Sequence, residues 1–396
     1  MEHDRPRHLF GDAASRQLAA GLGCVLAFAT VLVGGSPAHA DGWRDKQWYL
    51  SFLRIEKVHK ITEGKGVTVA VIDTGVDGNH SDLAGNVLEG IDYVDASENG
   101  WKDAVGHGTG MASIIAGHGH GSSNSEGILG LAPQSSVLPV RVLPPDAKDD
   151  VSYDDEHVDD GLTWATAHGA DVLNLSLSGG GLDFALEDAF KSDVVVVAAA
   201  GNTTQKSYKV RSPASVPGVV AVSGLDEHGT FAKESAQGPE VVLSAPAVNL
   251  AGAGAGEWGK YFVGTGTSGA TAIVSATAAL IRAKYPDISA NGVINRLVST
   301  ADDKGPPGRD PKYGFGVVNP LRALTADIPD IDYNPLVNGT PGPTISPSRA
   351  GSSMSDGSGN SDVGLILALV GGLIALVIIA IGAILFTRSR RTGSGR

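Results

Sequence analysis

Cysteine is almost absent from this sequence. Its 396 residues include a single cysteine, Cys24, which lies inside an apolar run near the N-terminus. That run has the features of a cleaved leader, so the rest of the chain contains no cysteine. Disulfide bonds, cysteine-ligated zinc and thiol catalysis are therefore excluded for the remainder of the chain.

Positive charge is also scarce. The chain has 30 Lys and Arg residues against 43 Asp and Glu, which gives a formal net charge of −13. Nucleic-acid binding depends on a basic surface that neutralises phosphates. The composition therefore argues against a nucleic-acid partner.

Long uncharged runs mark the two ends of the chain. At the N-terminus, three arginines precede an apolar run that starts at Leu18, and the small-residue motif Ala38-His39-Ala40 follows it. This pattern is typical of a secretory signal peptide over residues 1–40, cleaved after Ala40. No twin-arginine motif is present, which favours the general secretion route.

The C-terminal run, from Val363 to Phe386, is uncharged and would reach about 36 Å as a helix, which is enough to span a bilayer. The tail after it, residues 387–396, contains four arginines and is expected to stay in the cytoplasm. Residues 326–362 are rich in Pro, Gly, Ser and Asn, as in a flexible linker. These features predict a single-pass protein of the cell membrane whose main body is extracellular.

Between the two ends, apolar segments alternate with amphipathic ones. The apolar segments predict strands, and the amphipathic pattern predicts helices. The predicted strands are 67–73, 136–143, 170–178 and 193–201, and the predicted helices are about 107–117, 155–168, 183–190, 267–284 and 289–300. Such alternation predicts an α/β fold, a parallel sheet with helices on both faces, whose site lies at the carboxyl ends of the strands.

Three polar residues stand at strand ends or helix starts. Asp73 closes the first predicted strand, while His107 and Ser268 each open a predicted helix. Taken singly, each has an ordinary explanation as a turn, helix-start or capping residue. Taken together, they supply what nucleophilic catalysis requires: a hydroxyl, a base to take its proton, and a carboxylate to orient the base.

Asn202 ends the apolar run that starts at Val194. One interpretation is a turn residue, because Asn tolerates the conformations that end strands. The other is a hydrogen-bond donor to the negative oxygen that develops when a hydroxyl attacks an amide carbonyl.

The motifs around these residues resemble those of the subtilisin family, peptidase S8. VIDTGVDGNHSDL around Asp73, GHGTGMASIIAG around His107 and GTSGATA around Ser268 occur in the family's order of Asp, His and Ser. The resemblance implies a subtilisin-like serine endopeptidase without cofactor or metal, in which these three residues are catalytic. It also implies that Asn202 and the backbone N–H of Ser268 form the oxyanion hole. Gly269 and Ala272 depart from the family, which usually has Met and Pro there.

A short segment resembles the edge on which that family binds an extended substrate backbone by strand addition. Its candidate substrate-binding residues are Ser176, Leu177, Ser178, Gly179 and Gly180.

The organisation of the whole chain resembles the mycosins, the membrane-anchored subtilases of type VII secretion systems. A short extension at residues 41–60, containing QWYL, precedes a peptidase domain at 61–325, the linker at 326–362, the span at 363–386 and the basic tail. The resemblance implies protein or peptide substrates, the lipid bilayer and type VII membrane components as partners. A free-standing surface protease and a structural ectodomain with a vestigial catalytic set remain as alternatives.

Two further features leave interpretations open. The acidic stretch at 146–160 either binds calcium or forms a solvated loop before a helix; it lacks the twelve-residue calcium-loop pattern. Several histidines, among them His80 and His120, show no metal-site spacing and are interpreted as surface or loop residues.

Overall fold

The computed structural model of the chain describes residues 42–95, 99–145, 155–178, 183–203 and 209–337. The predicted signal peptide, the linker beyond residue 337, the span at 363–386 and the tail at 387–396 lie outside the described residues, as does most of the acidic stretch. In the part of the chain that is described, no helix is long and apolar enough to cross a membrane.

A seven-stranded parallel sheet, in the order β2-β5-β1-β6-β7-β8-β9, forms the centre of the fold. Two antiparallel hairpins, β3-β4 and β10-β11, accompany it. The strands are β1 (Thr68–Asp73), β2 (Ile91–Asp92), β3 (His118–His120), β4 (Glu126–Leu129), β5 (Ser136–Arg141), β6 (Val172–Leu175), β7 (Val195–Ala199), β8 (Val220–Leu225), β9 (Leu243–Pro246), β10 (Leu250–Ala253) and β11 (Tyr261–Gly264).

The sheet is covered on both faces. Every residue of β6, β7 and β8 is buried, and so is every residue of β1 and β5 after the first. Because successive side chains of a strand point to opposite faces, continuous burial requires cover on both sides. The predicted parallel α/β sheet is therefore confirmed.

Helices supply this cover. They are α1 (Trp48–Phe52), α2 (Ile55–His59), α3 (His107–Ala116), α4 (Asp155–Ala167), α5 (Asp183–Lys191), α6 (Thr267–Lys284), α7 (Ala290–Ser299) and α8 (Pro320–Thr325). Helix α6 packs on α3 and on β6 to β9, while α4 packs against α5 and beside β1 and β5. The five predicted helices are confirmed, and no helix end differs from its prediction by more than one residue.

The N-terminal segment packs on the body through its aromatic residues. Tyr49 is fully buried, and its hydroxyl donates to the carbonyl of Ala251 in β10 at 3.0 Å. The Trp48 indole donates to a backbone carbonyl at 3.1 Å, and Trp43 stacks on Tyr261 of β11 with ring centroids 5.0 Å apart. This segment therefore shares the core of the body.

The β3-β4 hairpin is held by Arg44 and by a contact between His120 and Asp82. The Arg44 guanidinium donates to three of its backbone carbonyls, those of residues 124, 126 and 127, at 3.1 to 3.3 Å. His120 Nδ1 lies 2.5 Å from a carboxylate oxygen of the fully buried Asp82. His80 is also buried and accepts from the Asp82 backbone N–H at 3.1 Å. His80 lies in the loop after β1, as interpreted, although it is buried. His120 lies in strand β3 and is half-buried, so the interpretation as a surface or loop residue was wrong for His120.

Candidate active site

Asp73 and His107 meet where β1 ends and α3 begins. Asp73 is fully buried, and Nδ1 of His107 donates to its two carboxylate oxygens at 2.7 and 2.9 Å. The backbone N–H of Thr74 donates to the first of these oxygens at 2.7 Å. With its proton on Nδ1, the neutral imidazole presents Nε2 as an acceptor, which suits a general base.

Asp103 supports this pair, and the sequence analysis missed it. Its carboxylate accepts from the backbone N–H of Gly106 at 2.7 Å and of Thr109 at 2.9 Å, and from the Thr109 hydroxyl at 2.7 Å. It also accepts from the Thr74 hydroxyl at 2.9 Å, next to Asp73. Burial raises the pKa of Asp103 above its usual range. An Asp shortly before a helix start was the signal available in the sequence.

Ser268 lies in the first turn of α6 and faces the segment that follows β6. Its hydroxyl donates to the backbone carbonyl of Ser176 at 3.2 Å, and the Ser176 hydroxyl donates back to the Ser268 carbonyl at 3.0 Å. Leu177 is buried and Ser178 is half-buried. Gly179 and Gly180 lie outside the described residues. The candidate nucleophile and the start of the candidate substrate strand are thus adjacent.

A series of hydrogen bonds between buried polar side chains fixes the position of Ser176. Asn174 donates to the Ser176 hydroxyl at 3.0 Å and accepts from the Ser275 hydroxyl, also at 3.0 Å. Asn174 and Ser275 are fully buried. A fully paired buried network of this kind is rigid, so it fixes the position of Ser176 relative to α6.

Asn202 follows β7 and is tied to the start of α6. Its Oδ1 accepts from the backbone N–H of Thr267 at 3.0 Å and from the Thr267 hydroxyl at 3.2 Å. With Oδ1 so engaged, the amide offers Nδ2 as a donor. Gly201, with φ of +103°, takes the left-handed conformation at this strand end, and Asn202 does not. Asn202 therefore does not use the left-handed conformation that asparagine tolerates in turns.

His107, Asn202 and Ser268 line one cavity of about 350 Å³. The arrangement places a hydroxyl, an imidazole oriented by a carboxylate, and an amide donor around a common space. These groups suit acyl transfer through a tetrahedral intermediate. Among the described residues, no group of three or more His, Cys, Asp or Glu side chains could hold a metal ion.

The chain matches known proteins over this body. The family model described as Subtilase family, Peptidase S8, matches residues 64–316. A thermostable alkaline protease of Halalkalibacterium halodurans is 35% identical over 281 residues, covering 70% of this chain and 73% of the relative. Mycosin-1 of Mycolicibacterium smegmatis is 32% identical over 347 residues, and the match covers 73% of this chain and 75% of the relative.

A solved structure is also similar. It is that of the serine protease MycP1, described as an essential component of the type VII (ESX-1) secretion system. It matches with a TM-score of 0.60 and 32% identity, and the match covers 74% of this chain and 90% of that one.

Proposed function

The chain belongs to the subtilase family and is a subtilisin-like serine endopeptidase related to the mycosins, and we propose that it acts outside the cell, anchored in the membrane, in support of a type VII secretion system. Its catalytic residues in this proposal are Asp73, His107 and Ser268, with Asn202 in the oxyanion hole.

The reaction would proceed by acyl transfer. Ser268 Oγ attacks the scissile carbonyl while His107 Nε2 takes its proton, and Asp73 stabilises the resulting imidazolium. Asn202 Nδ2 and the backbone N–H of Ser268 donate to the developing oxyanion. His107 then protonates the leaving amine, and water hydrolyses the acyl-enzyme by the same route. Residues 176–180 hold the acyl part of the substrate as an added strand.

One observation carries the assignment of catalytic roles. His107 is held by the fully buried carboxylate of Asp73 at 2.7 Å, and it lines the same cavity as Ser268 and Asn202. A protein with a vestigial site would not need this set to be complete. Labelling by a fluorophosphonate tests the roles directly, since the label requires an activated serine. Labelling of the wild type, with none of Ser268→Ala, is the expected result.

The secretion role rests on relatives and on the ends of the chain. Mycosin-1 matches across 73% of this chain, and the similar MycP1 structure is described as a type VII component. The predicted signal peptide at 1–40 and the span at 363–386 would place the protease at the outer surface of the cell membrane, with the arginine-rich tail in the cytoplasm. Its partners would be protein substrates, lipid and type VII membrane components.

Complementation of a deletion strain tests this role. Three forms are compared: full length, full-length Ser268→Ala, and a truncation that ends before Val363. The truncation should hydrolyse peptides but fail to restore secretion, because detachment lowers its local concentration at the translocon. The Ser268→Ala form separates a need for proteolysis from a need for the protein itself.

A free-standing surface protease is the second candidate. It is favoured by the 35% identity to the thermostable alkaline protease, which is slightly above that to Mycosin-1. Full secretion with the soluble truncation would support this candidate and overturn the anchored role.

A further inference from the structure

Hydrogen bonds to the sheet hold Ser268 on both sides along the chain. On the N-terminal side, the backbone N–H of Thr267 donates to Oδ1 of Asn202, which follows β7, at 3.0 Å. On the C-terminal side, the Ser268 carbonyl accepts from the hydroxyl of Ser176, just beyond the end of β6, at 3.0 Å. The first bond involves the proposed oxyanion donor itself, whereas the second involves a side chain that takes part in no step of the proposed reaction.

The bond from Ser176 is the last of a series that starts two turns further along α6. Ser275 donates to Oδ1 of Asn174 at 3.0 Å, and Nδ2 of Asn174 donates to the Ser176 hydroxyl, also at 3.0 Å. Seven residues separate Ser268 from Ser275, so the two lie on the same face of α6. The series therefore leaves α6 at Ser275, passes through β6 and returns to α6 at Ser268.

All donors in this series point the same way. The Asn174 amide turns its oxygen toward Ser275 and its nitrogen toward Ser176, so the Ser176 hydroxyl keeps its own proton for the Ser268 carbonyl. Without the Ser275 donor, the amide can turn over, and its oxygen would then accept the Ser176 proton in place of Ser268. The Ser275 hydroxyl therefore controls, through three hydrogen bonds, whether the Ser268 carbonyl is held.

We propose that Ser275 and Asn174 are positioning residues for acyl transfer, which set the place of the Ser268 backbone N–H and Oγ relative to Asn202. The inference rests on the proposed catalytic roles of Ser268 and Asn202. Because the carbonyl, the N–H and Oγ belong to one residue, a shift of the carbonyl moves the other two. Oxyanion donors act at about 2.7–3.1 Å from the oxygen, so a shift of a few tenths of an ångström lengthens a bond that the transition state needs.

Ser275→Ala tests this role, and Thr277→Val is the matched control. Both replacements remove a fully buried hydroxyl from α6. The Thr277 hydroxyl donates to the carbonyl of Ile273 in its own helix at 2.8 Å, so its loss leaves the link between α6 and β6 intact.

Three measurements are made on each variant. Turnover of a peptide anilide gives kcat and KM, inhibition by a peptide boronate gives an inhibition constant, and urea titration shows that the variant is folded under the assay conditions. The boronate bonds reversibly to Ser268 Oγ, and an oxygen of the tetrahedral adduct accepts from the same donors as the oxyanion. Its affinity therefore reports the geometry of the oxyanion hole.

In Ser275→Ala, kcat should fall about five- to twentyfold while KM changes less than about twofold. This loss is smaller than the loss of about a hundredfold or more that follows outright removal of an oxyanion donor. The inhibition constant of the boronate should rise by about the factor by which kcat falls. Thr277→Val should keep kcat and boronate binding at wild-type levels. In the double variant Ser275→Ala/Asn174→Ala, kcat should be no lower than in Asn174→Ala alone, because both replacements break the same series.

The outcomes separate the positioning role from the proposed function. An unchanged kcat in Ser275→Ala, a change confined to KM, or an equal loss of kcat in Thr277→Val would each overturn the positioning role and leave the protease assignment intact. Losses in Ser275→Ala and Asn174→Ala that multiply in the double variant would also overturn it, because independent effects combine in that way. A wild type that showed neither fluorophosphonate labelling nor boronate binding would overturn the proposed catalytic roles, and the positioning role with them.

Discussion

Replacement of Asp103 by alanine should destabilise the protein and slow catalysis, although Asp103 is not a member of the catalytic set. Its carboxylate joins the loop after β1, at Thr74, to the first turn of α3, which carries His107. The hydroxyl donors can rotate to other acceptors. The backbone N–H groups of Gly106 and Thr109 are buried and fixed, so they would lose their partner.

The expected loss follows from those two groups. Each buried donor without a partner costs about 1–3 kcal/mol, which gives about 2–6 kcal/mol for the pair. Burial of the Asp103 carboxylate is itself unfavourable, as its raised pKa indicates, so its removal offsets part of this loss of stability. A net loss of about 3 kcal/mol should lower Tm by about 6–12 °C.

Circular dichroism melting and steady-state kinetics check this expectation. Because Thr74 and α3 position Asp73 and His107, kcat should fall more than KM changes. Asp171→Ala is the matched control, since Asp171 accepts a hydrogen bond from the Thr68 backbone N–H at 2.8 Å at the opposite end of β1. It should cost about 1 kcal/mol and leave kcat unaltered. A Tm loss in Asp103→Ala no larger than in this control would refute the reasoning.

Four further outcomes are expected. Ser268→Ala should abolish peptide hydrolysis while the free energy of unfolding, from urea titration, changes by about 1 kcal/mol, the worth of its hydrogen bond to Ser176; residual turnover would place the nucleophile elsewhere. Asn202→Ala should lower kcat about 10²- to 10³-fold, the size known from subtilisin itself, with a smaller change in KM. A change confined to KM would show that Asn202 is a turn residue. The stability lost in Asp103→Asn should shrink as pH rises from 3.8 through the raised pKa of the folded state. In that pH range the folded wild type still holds a proton on Asp103 that the unfolded chain has released, so wild-type stability falls as pH rises. Urea titrations in which the difference stays constant with pH would contradict this. Removal of residues 42–59 should destabilise the protease rather than activate it, since Tyr49 lies in the core; higher activity at unchanged Tm would show an inhibitory segment instead.

Catalytic candidates could be predicted from the sequence because each sits in a local motif. Asp73 ends a strand, and His107 and Ser268 lie at the starts of helices, so the few neighbouring residues indicate where each side chain lies in the fold. Asp103 and the Asn174–Ser275 pair were missed because their partners are set by tertiary contacts. Ser275 bonds to a residue 101 positions away, and no periodic pattern records that distance.

The same limit applies to the fold. Strands β1, β5, β6 and β7 were predicted from apolar runs, whereas β2 has only two residues and β9, with the sequence LSAP, forms no apolar run. Strand β8, Val220–Leu225, is apolar and could have been predicted. The hairpin β10-β11 is rich in glycine and alanine, and it contacts Trp43 and Tyr49 of the N-terminal segment, about 200 residues earlier in the chain.

The contact between Tyr49 and Ala251 can form only after most of the body has been synthesised. The two residues are 202 positions apart in sequence. At about 5–20 residues per second, the ribosome adds the second residue about 10–40 s after the first. During that interval Trp43, Trp48 and Tyr49 have no β10-β11 hairpin to pack against. In the nascent chain, chaperones and proteases can therefore reach Tyr49, a side chain that is fully buried in the finished molecule.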